Sequence, residues 1–455
     1  MHKASPPART SRFAAIETLV RLERTRHPLK VLLETVAEQC RLPAMERRLA
    51  MKLAYGVLRQ RQYLEFLLTR LCNRPIDQLD PVVRSALLVG LYQLFCLSRI
   101  PVSAAVNETV NAVKAMGLRQ HLRGFVNGVL RGASRRRNTL PTPAGLLTAG
   151  HPVLNHPEWL TDRWLSHFGL SEMRRICASN NREPQLTLRV NSRRISRNSL
   201  AERLAQAGIS AHPGSYAPDS LVLPDYQGMI PTLPGYTEGA FQIQDEAAQL
   251  ATLLLGPFTQ PLSCLDACAG VGGKTCHLLQ LVDSASQVVA LEPEPQRFVL
   301  LQKNIERLGS DSRLVVRNCR LQDLRHQDQR QFDRVLLDAP CSGTGVIGRQ
   351  PDIRWNRQPA DLGDYQRDQL ALLDAAAALV APDGLLVYTT CSIEPEENQE
   401  VVAAFLTAHP AFVLDPCRTH LPPAAAPLID GSFFAPRPAP SIAGFFGARL
   451  WRRRC

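Results

Sequence analysis

Along the first third of the chain the apolar positions recur every three or four residues, and no run of alternating β-branched residues interrupts them. That period predicts helices over Arg12–Arg24, Leu29–Gln39, Ala44–Arg59, Leu64–Arg70, Pro81–Leu97, Ser103–Met116 and His121–Arg131, with stops at Pro43, Pro75, Pro101 and Gly117. Ser134–Asn138 and the Pro/Gly/Thr-rich stretch Thr139–Gly150 read as a linker. Helical spacing returns over His156–Asn180, with Trp159, Trp164 and Phe168 as core anchors. Leu186–Val190 then alternates as a short strand, and Ser199–Ala207 follows as a helix. From Gly239 the pattern changes. Short apolar runs at Cys264–Asp266, Val288–Leu291, Leu314–Val316, Val335–Leu337 and Leu385–Tyr388 are separated by helix-length segments, the clearest being Pro295–Leu308, Tyr365–Val380 and Pro395–Ala408. Such strands, joined by helical crossovers, predict a mostly parallel sheet covered on both faces. The expected organisation is multi-domain: an all-α domain over 1–140, a linker and small α+β segment over 141–238, and an α/β domain over 239–455.

Charge sharpens this division. The 455 residues carry a net +12, and it is not spread evenly. Residues 1–140 hold 24 Lys and Arg against 9 Asp and Glu, a net +15, while the remainder is at −3. A helical domain with that excess is expected to bind a polyanion. No apolar run approaches the length of a membrane span, and the start shows no apolar signal core, so no membrane partner is expected. The expected location is cytoplasmic, with the twelve cysteines as reduced thiols. There is no Cys-x-x-Cys pair, and the spacing of Cys264, Cys268 and Cys276 suits neither a zinc finger nor a ribbon, so no metal is expected. No oligomeric partner is indicated.

In a parallel sheet the ligand sits beyond the carboxyl ends of the strands, so chemistry is sought there. The first strand ends in Asp266-Ala267-Cys268-Ala269-Gly270-Val271-Gly272-Gly273-Lys274-Thr275, a glycine-rich turn that lets a ligand approach backbone and opens a helix. Gly273-Lys274-Thr275 matches the tail of a phosphate-binding P-loop, but that motif needs Gly where Cys268 stands. The second strand ends at Glu292, an acid placed to accept from two ribose hydroxyls, and with the turn it indicates a nucleoside-bearing cofactor. The fourth and fifth strands end in Asp338-Ala339-Pro340-Cys341-Ser342 and Thr389-Thr390-Cys391-Ser392. Two thiols thus lie beyond strands expected to be neighbours. A thiolate that adds to C6 of a pyrimidine makes C5 nucleophilic enough to take a methyl group, and a second acid/base group must then remove the C5 proton.

These motifs, with Glu396-Glu397-Asn398, Phe241–Ala248 and Gly444–Leu450, resemble the RNA cytosine-C5 methyltransferases that use S-adenosylmethionine (SAM). The likeness covers about residues 180–450. Arg47–Arg59 and Ile100–Arg131, including Ala105-Val106-Asn107-Glu108 and Phe125-Val126-Asn127-Gly128-Val129-Leu130-Arg131, resemble the NusB-like RNA-binding domain. NusB-like plus methyltransferase is the architecture of the bacterial Sun/Fmu/RsmB enzymes, which methylate 16S ribosomal RNA.

The resemblance implies SAM as cofactor and 16S rRNA as partner. It also implies Cys391 as the nucleophile on C6, Cys341 as the helper in proton loss and release, and Asp338 at the cytosine edge and the methionine end of SAM. DNA cytosine methyltransferases use the Pro-Cys thiol instead, so the residues alone do not rank the two. Cys268, Ala269, Gly270, Val271, Gly272, Gly273 and Lys274 would wrap the cofactor, Glu292 would hold its ribose, and Asn318 would meet its adenine. Val271 stands where the family usually has Pro, and Asn318 near where it usually has Asp. Arg47, Arg48, Arg59, Arg61, Arg123, Arg131 and Arg135–Arg137 are expected to neutralise RNA phosphates. Arg189, Arg193, Arg194 and Arg197 would add a small RNA-facing surface. The alternative is a methyltransferase-like RNA-binding or assembly factor without turnover.

Overall fold

Prolines and one aspartate set most helix starts in the N-terminal third. The computed structural model describes residues 9–148, 153–224, 226–327 and 330–454. The reading of the first eight residues, and the end of the expected linker at 149–150, fall outside them. The chain divides into two units, one of residues 1–182 with 349–356 and one of residues 183–348 with 357–455.

The first unit is helical: α1 (Ser11–Leu22), α2 (Leu29–Gln39), α3 (Ala44–Arg59), α4 (Arg61–Leu71), α5 (Pro81–Cys96), α6 (Val102–Ala115), α7 (Gln120–Arg135), α8 (Pro143–Thr148) and α9 (Glu158–Asn180). Pro28, Pro43 and Pro101 precede α2, α3 and α6. Asp80 caps α5, its carboxylate accepting from the N–H groups of Val82 and Val83, with Pro81 in the first helical position. Helix α5 is apolar nearly all round, burying Val83, Ala86, Leu87, Val89 and Leu91, as befits the central helix of this core. Gly56 of α3 meets the Tyr92 ring so closely that an added Cβ would stand 1.9 Å from it.

Two expectations are corrected. The segment from Ser134 is not all linker: α7 continues to Arg135 because Val126, Val129, Leu130 and Ala133 extend its buried stripe, and Pro143–Thr148 is a further helical turn. Of the three expected anchors in α9, Trp164 is wholly buried, while Trp159 and Phe168 are only half-buried. Gly169, at φ +77°, breaks the helix beside Phe168 and divides its apolar face.

Residues 349–356 are remote in sequence, yet they complete this unit. Asp352 accepts the free N–H of Leu29 at 3.0 Å, at the start of α2, and Trp355 donates its indole N–H to the carbonyl of Leu58 at 2.9 Å. Arg354 is fully buried and donates to the carbonyls of Asn155 and Asn180 and to Oδ1 of Asn181.

The second unit begins with β1 (Leu186–Val190), α10 (Arg197–Gln206), β2 (His212–Pro213), β3 (Ser220–Leu223) and β4 (Phe241–Ile243), an antiparallel sheet in the order β2-β3-β1-β4. Then follow α11 (Glu246–Leu253), β5 (Ser263–Asp266), α12 (Gly273–Leu281), β6 (Gln287–Leu291), α13 (Pro295–Leu308), β7 (Leu314–Arg317), α14 (Leu321–Gln327) and β8 (Phe332–Asp338). After α15 (Ile353–Asn356), which belongs to the first unit, come α16 (Asp361–Ala377), β9 (Val380–Thr390), α17 (Gln399–Ala408), β10 (Phe412–Asp415), β11 (Ile429–Asp430), β12 (Phe433–Phe434) and β13 (Phe446–Arg452). The large sheet runs β11-β12-β13-β9-β8-β5-β6-β7, with β10 on β13. Strands β7, β6, β5, β8 and β9 are parallel, and β13 closes on β9 antiparallel. The chain winds outward from β5 to β7 and returns to β8 on the other side of β5. That reversal opens a crevice at the carboxyl ends of β5 and β8.

Arg189, expected to face RNA, is instead buried, bonded to Gln242, Gln244 and the carbonyl of Gly273. Arg193, Arg194 and Arg197 donate to the carbonyls of Val282, Glu238 and Pro218. The long aliphatic stem and five donors of arginine suit such internal bracing as well as phosphate.

Replacing Arg354 by Ala strands three buried oxygens. Urea unfolding followed by tryptophan fluorescence should show the first unit destabilised by about 3 kcal/mol.

Candidate active site

Each strand-end motif reaches one crevice by a short local route. After β5, Gly270 and Gly272 take φ of +58° and +86°, which turn the chain sharply into α12. A Cβ at Gly270 would meet nothing within 4 Å, so this backbone is open to an approaching group, whereas one at Gly272 would strike Leu301 at 2.6 Å. The first N–H groups of a helix such as α12 suit a group of negative or polar character. Burial first, and the charges of Asp266, Asp338 and Glu292 second, push the Cys268 thiol up.

Glu292 ends β6 and is 4% exposed. One of its oxygens accepts the N–H of Glu294, which in turn caps α13 through Gln296 and Arg297. Asn318, after β7, donates its amide to the carbonyl of Glu292 at 2.7 Å and so ties two strand ends together. An open glycine backbone, a helix N-terminus and a carboxylate at the next strand end form a donor–acceptor set that fits a nucleoside-bearing cofactor.

Lys274 and Asp338 form an ion pair at 2.7 Å. Thr389 on β9 donates to the other oxygen of Asp338 at 2.9 Å, and the ammonium of Lys274 lies 5.0 Å from the centre of the Phe445 ring. Thr275 is also engaged, donating to Asp266 at 2.7 Å. Both polar side chains of the P-loop-like tail are thus engaged by carboxylates of the protein.

The parallel ladder of β8 and β9 pairs Asp338 with Thr389, so the loops that follow leave side by side. Cys341 and Cys391 are half-buried, with sulfurs 3.1 Å apart, and the N–H of Cys391 donates to the Cys341 sulfur at 3.3 Å. The hydrogen bond with Cys391 and burial, together with the charges of Cys391 and Glu397, hold the Cys341 thiol well above its usual range. Gly345 and Gly444 pack so tightly that a Cβ at Gly345 would lie 2.3 Å from the Gly444 carbonyl oxygen. Sequence reasoning did not single out Thr389, Phe445 or the carboxylate of Glu397 as site residues. The runs that contain Phe445 and Glu397 were the only available signal, since each acts through a partner far along the chain.

Comparison with known proteins agrees with this fold. A sequence model described as "16S rRNA methyltransferase RsmB/F" matches residues 253–450, the NusB family matches 9–135, and an RsmF/B-like ferredoxin-like domain matches 156–228. The chain is 39% identical over 398 residues to a ribosomal RNA small subunit methyltransferase B of Pseudomonas syringae pv. tomato, covering 87% of this chain and 86% of that one. With a protein of the same description from Vibrio cholerae it shares 38% identity over 431 residues, 93% and 96% of the two chains. The solved structure of PH0851 superposes with a TM-score of 0.79 over 98% of this chain and 99% of that one, at 24% identity. The fold and site define a methyltransferase with a NusB-like helical part. Within that class, the chain belongs to the 16S rRNA methyltransferase family RsmB/F, and its cofactor is SAM.

Burial raises the Asp266 carboxyl to about 6, with the Asp338 charge adding and the Thr275 bond opposing. A folded value above the unfolded one favours the protonated acid. The stabilisation is complete below pH 4 and is lost as pH rises to about 6, on the order of 3 kcal/mol. Asp266→Asn should therefore gain on the parent in unfolding free energy across that window, as urea titrations at pH 4 and pH 7 would measure.

Proposed function

We propose that this protein methylates C5 of a specific cytosine in 16S rRNA through a covalent adduct between Cys391 and cytosine C6. The single observation that carries this is the pair of sulfurs 3.1 Å apart beside the Lys274–Asp338 ion pair. One nucleophile and one proton carrier are what addition to C6 and loss of the C5 proton require.

Cys268–Lys274 would hold SAM, with Glu292 for its ribose and Asn318 for its adenine, and SAM would supply an electrophilic methyl group. The protein's own residues do the rest. Cys391 attacks C6 as a thiolate, and Asp338, oriented by Lys274 and Thr389, holds the cytosine edge. Cys341 gives its proton to N3 of the ring as the C6–S bond forms, and N3 returns that proton to water when the ring regains aromaticity. The hydrogen bond with Cys391, burial and the nearby charges, Glu397 among them, hold the Cys341 thiol above the usual range, and its thiolate then takes the C5 proton as the C6–S bond breaks.

C5 and C6 are hidden in a stacked helix, so the target cytosine is unpaired or turned out. For RNA we favour a groove between α6 and α7, lined by Lys114, Arg123 and Arg131 with Asn107, Asn111 and Asn127. Among the described residues no acid lines it, and Gly124 of α7, with open space where a Cβ would stand, leaves it unobstructed. Several arginines expected to do this are braced within the protein: Arg47 donates to the carbonyl of Leu42, Arg61 pairs with Glu65, and Arg136 donates to the carbonyl of Arg70. We read 1–140 as the RNA-holding part, 141–238 as a connecting and RNA-facing part, and 239–455 as the catalytic part.

Labelled SAM with unmethylated small-subunit RNA should place the methyl on cytosine C5. Cys391→Ala should abolish turnover, while Cys341→Ala should trap a protein–RNA adduct visible on denaturing gels. Label confined to an exocyclic amine, or the two variants behaving the other way round, would contradict the assignment.

A further inference from the structure

Cys341 and Cys391 stand on separate loops, and the β8–β9 ladder ends before either of them. Something else must bring two loop residues to sulfur–sulfur contact. Behind them lies Glu397, wholly buried, in the turn before α17. One of its oxygens accepts the N–H of Ser342 at 2.7 Å and the side-chain amide of Gln369 on α16 at 3.0 Å. The other accepts the hydroxyls of Ser342 and Ser392. Ser342 and Ser392 are the residues directly after Cys341 and Cys391. Four donors from three parts of the chain converge on one carboxylate, and none of them is a cation.

A carboxylate buried without a cation costs stability, and an apolar side chain would pack there more favourably. The turn that carries it does not need it. Its backbone is held separately, by the Tyr388 hydroxyl on the Glu397 carbonyl at 2.7 Å and by Asn398, which accepts from Thr390 and donates to the carbonyl of Ser392. The carboxylate bonds instead to the neighbours of the two thiols.

We propose that Glu397 is the positioning residue of the two-thiol site: by tying Ser342 and Ser392 to one point it sets the 3.1 Å spacing of Cys341 and Cys391. The inference rests on the reading of those thiols as the reacting pair. The same negative charge contributes to keeping Cys341 protonated, which suits a group that must first give a proton and later take one.

Two variants and two readouts test this. Glu397→Ala removes the tie; Glu397→Gln keeps the volume and an acceptor for the Ser342 N–H but removes the charge and one acceptor oxygen. Turnover should fall about 100-fold in Glu397→Ala and about 10-fold in Glu397→Gln, while KM for RNA and the SAM dissociation constant stay within about threefold. Turnover unchanged in both, or SAM binding lost in step with turnover, would overturn the proposal.

The second readout needs no methylation. Hydrogen peroxide joins two thiols into a disulfide, taking two electrons and two protons and leaving as two waters. Mass mapping should show Cys341–Cys391 bond formation about tenfold slower in Glu397→Ala than in the parent. A slowed disulfide with no C5 methylation by the parent retains the positioning role and rejects the proposed reaction. C5 methylation by the parent with unchanged turnover and disulfide rate in the variants does the reverse. If circular dichroism shows Glu397→Ala unfolded, Ser392→Ala, which removes one donor, decides by the same two rates: slowing supports the tie, and parent-like rates reject it.

Discussion

The site depends first on the parallel pairing of β8 with β9. Because Asp338 faces Thr389 across that ladder, the two following loops must leave the same edge of the sheet at neighbouring points. From that register follow the bond from Thr389 to Asp338 and the bond from the Gly345 N–H to the Cys391 carbonyl at 2.9 Å. A one-residue slip would turn every side chain of β9 to the opposite face of the sheet and carry Cys391 away from its partner. Strand β13 guards against this, pairing with six consecutive residues of β9 on the side away from β8.

Electrostatics then divides the labour among similar groups. Of the cysteines near the crevice, Cys268 is pushed up by burial and the charges of three carboxylates, while Cys341 is held up by its sulfur neighbour, burial and Glu397. Lys274 is taken by Asp338, so the carboxylate that ends β8 has a fixed counter-charge. The first unit uses charge differently. Its lysines and arginines exceed its acids widely, yet several are engaged by the protein's own carbonyls, and a smaller set lines the α6–α7 groove. Net charge reports that a polyanion is attracted; only geometry tells which cations are free to meet it.

Much of this was legible in the residue pattern. Helix period and proline stops located α2 and α3 to the residue, and α13 likewise, because local propensity and capping settle such ends. The α/β alternation and the glycine turn after β5 were equally plain. The antiparallel strands β10–β13 were not, since short edge strands carry little periodicity and their pairing partners lie far along the chain. Arg189 was misread as surface for the same reason: an arginine's sequence does not say whether its guanidinium meets phosphate or Gly273.

What the sequence determined by itself is the set of chemical parts: a basic helical segment, a glycine-rich turn, acids at strand ends, and two cysteines beyond strands. These are local features, dictated by side-chain type and short-range backbone preference. Only the tertiary structure decided which parts meet: Lys274 with Asp338, Cys341 with Cys391, and Glu397 with the serines beside both thiols. Each of those contacts, apart from the link between Ser392 and Glu397, joins residues 50 or more positions apart. Contacts at that separation are fixed by sheet order and register, which no local pattern encodes.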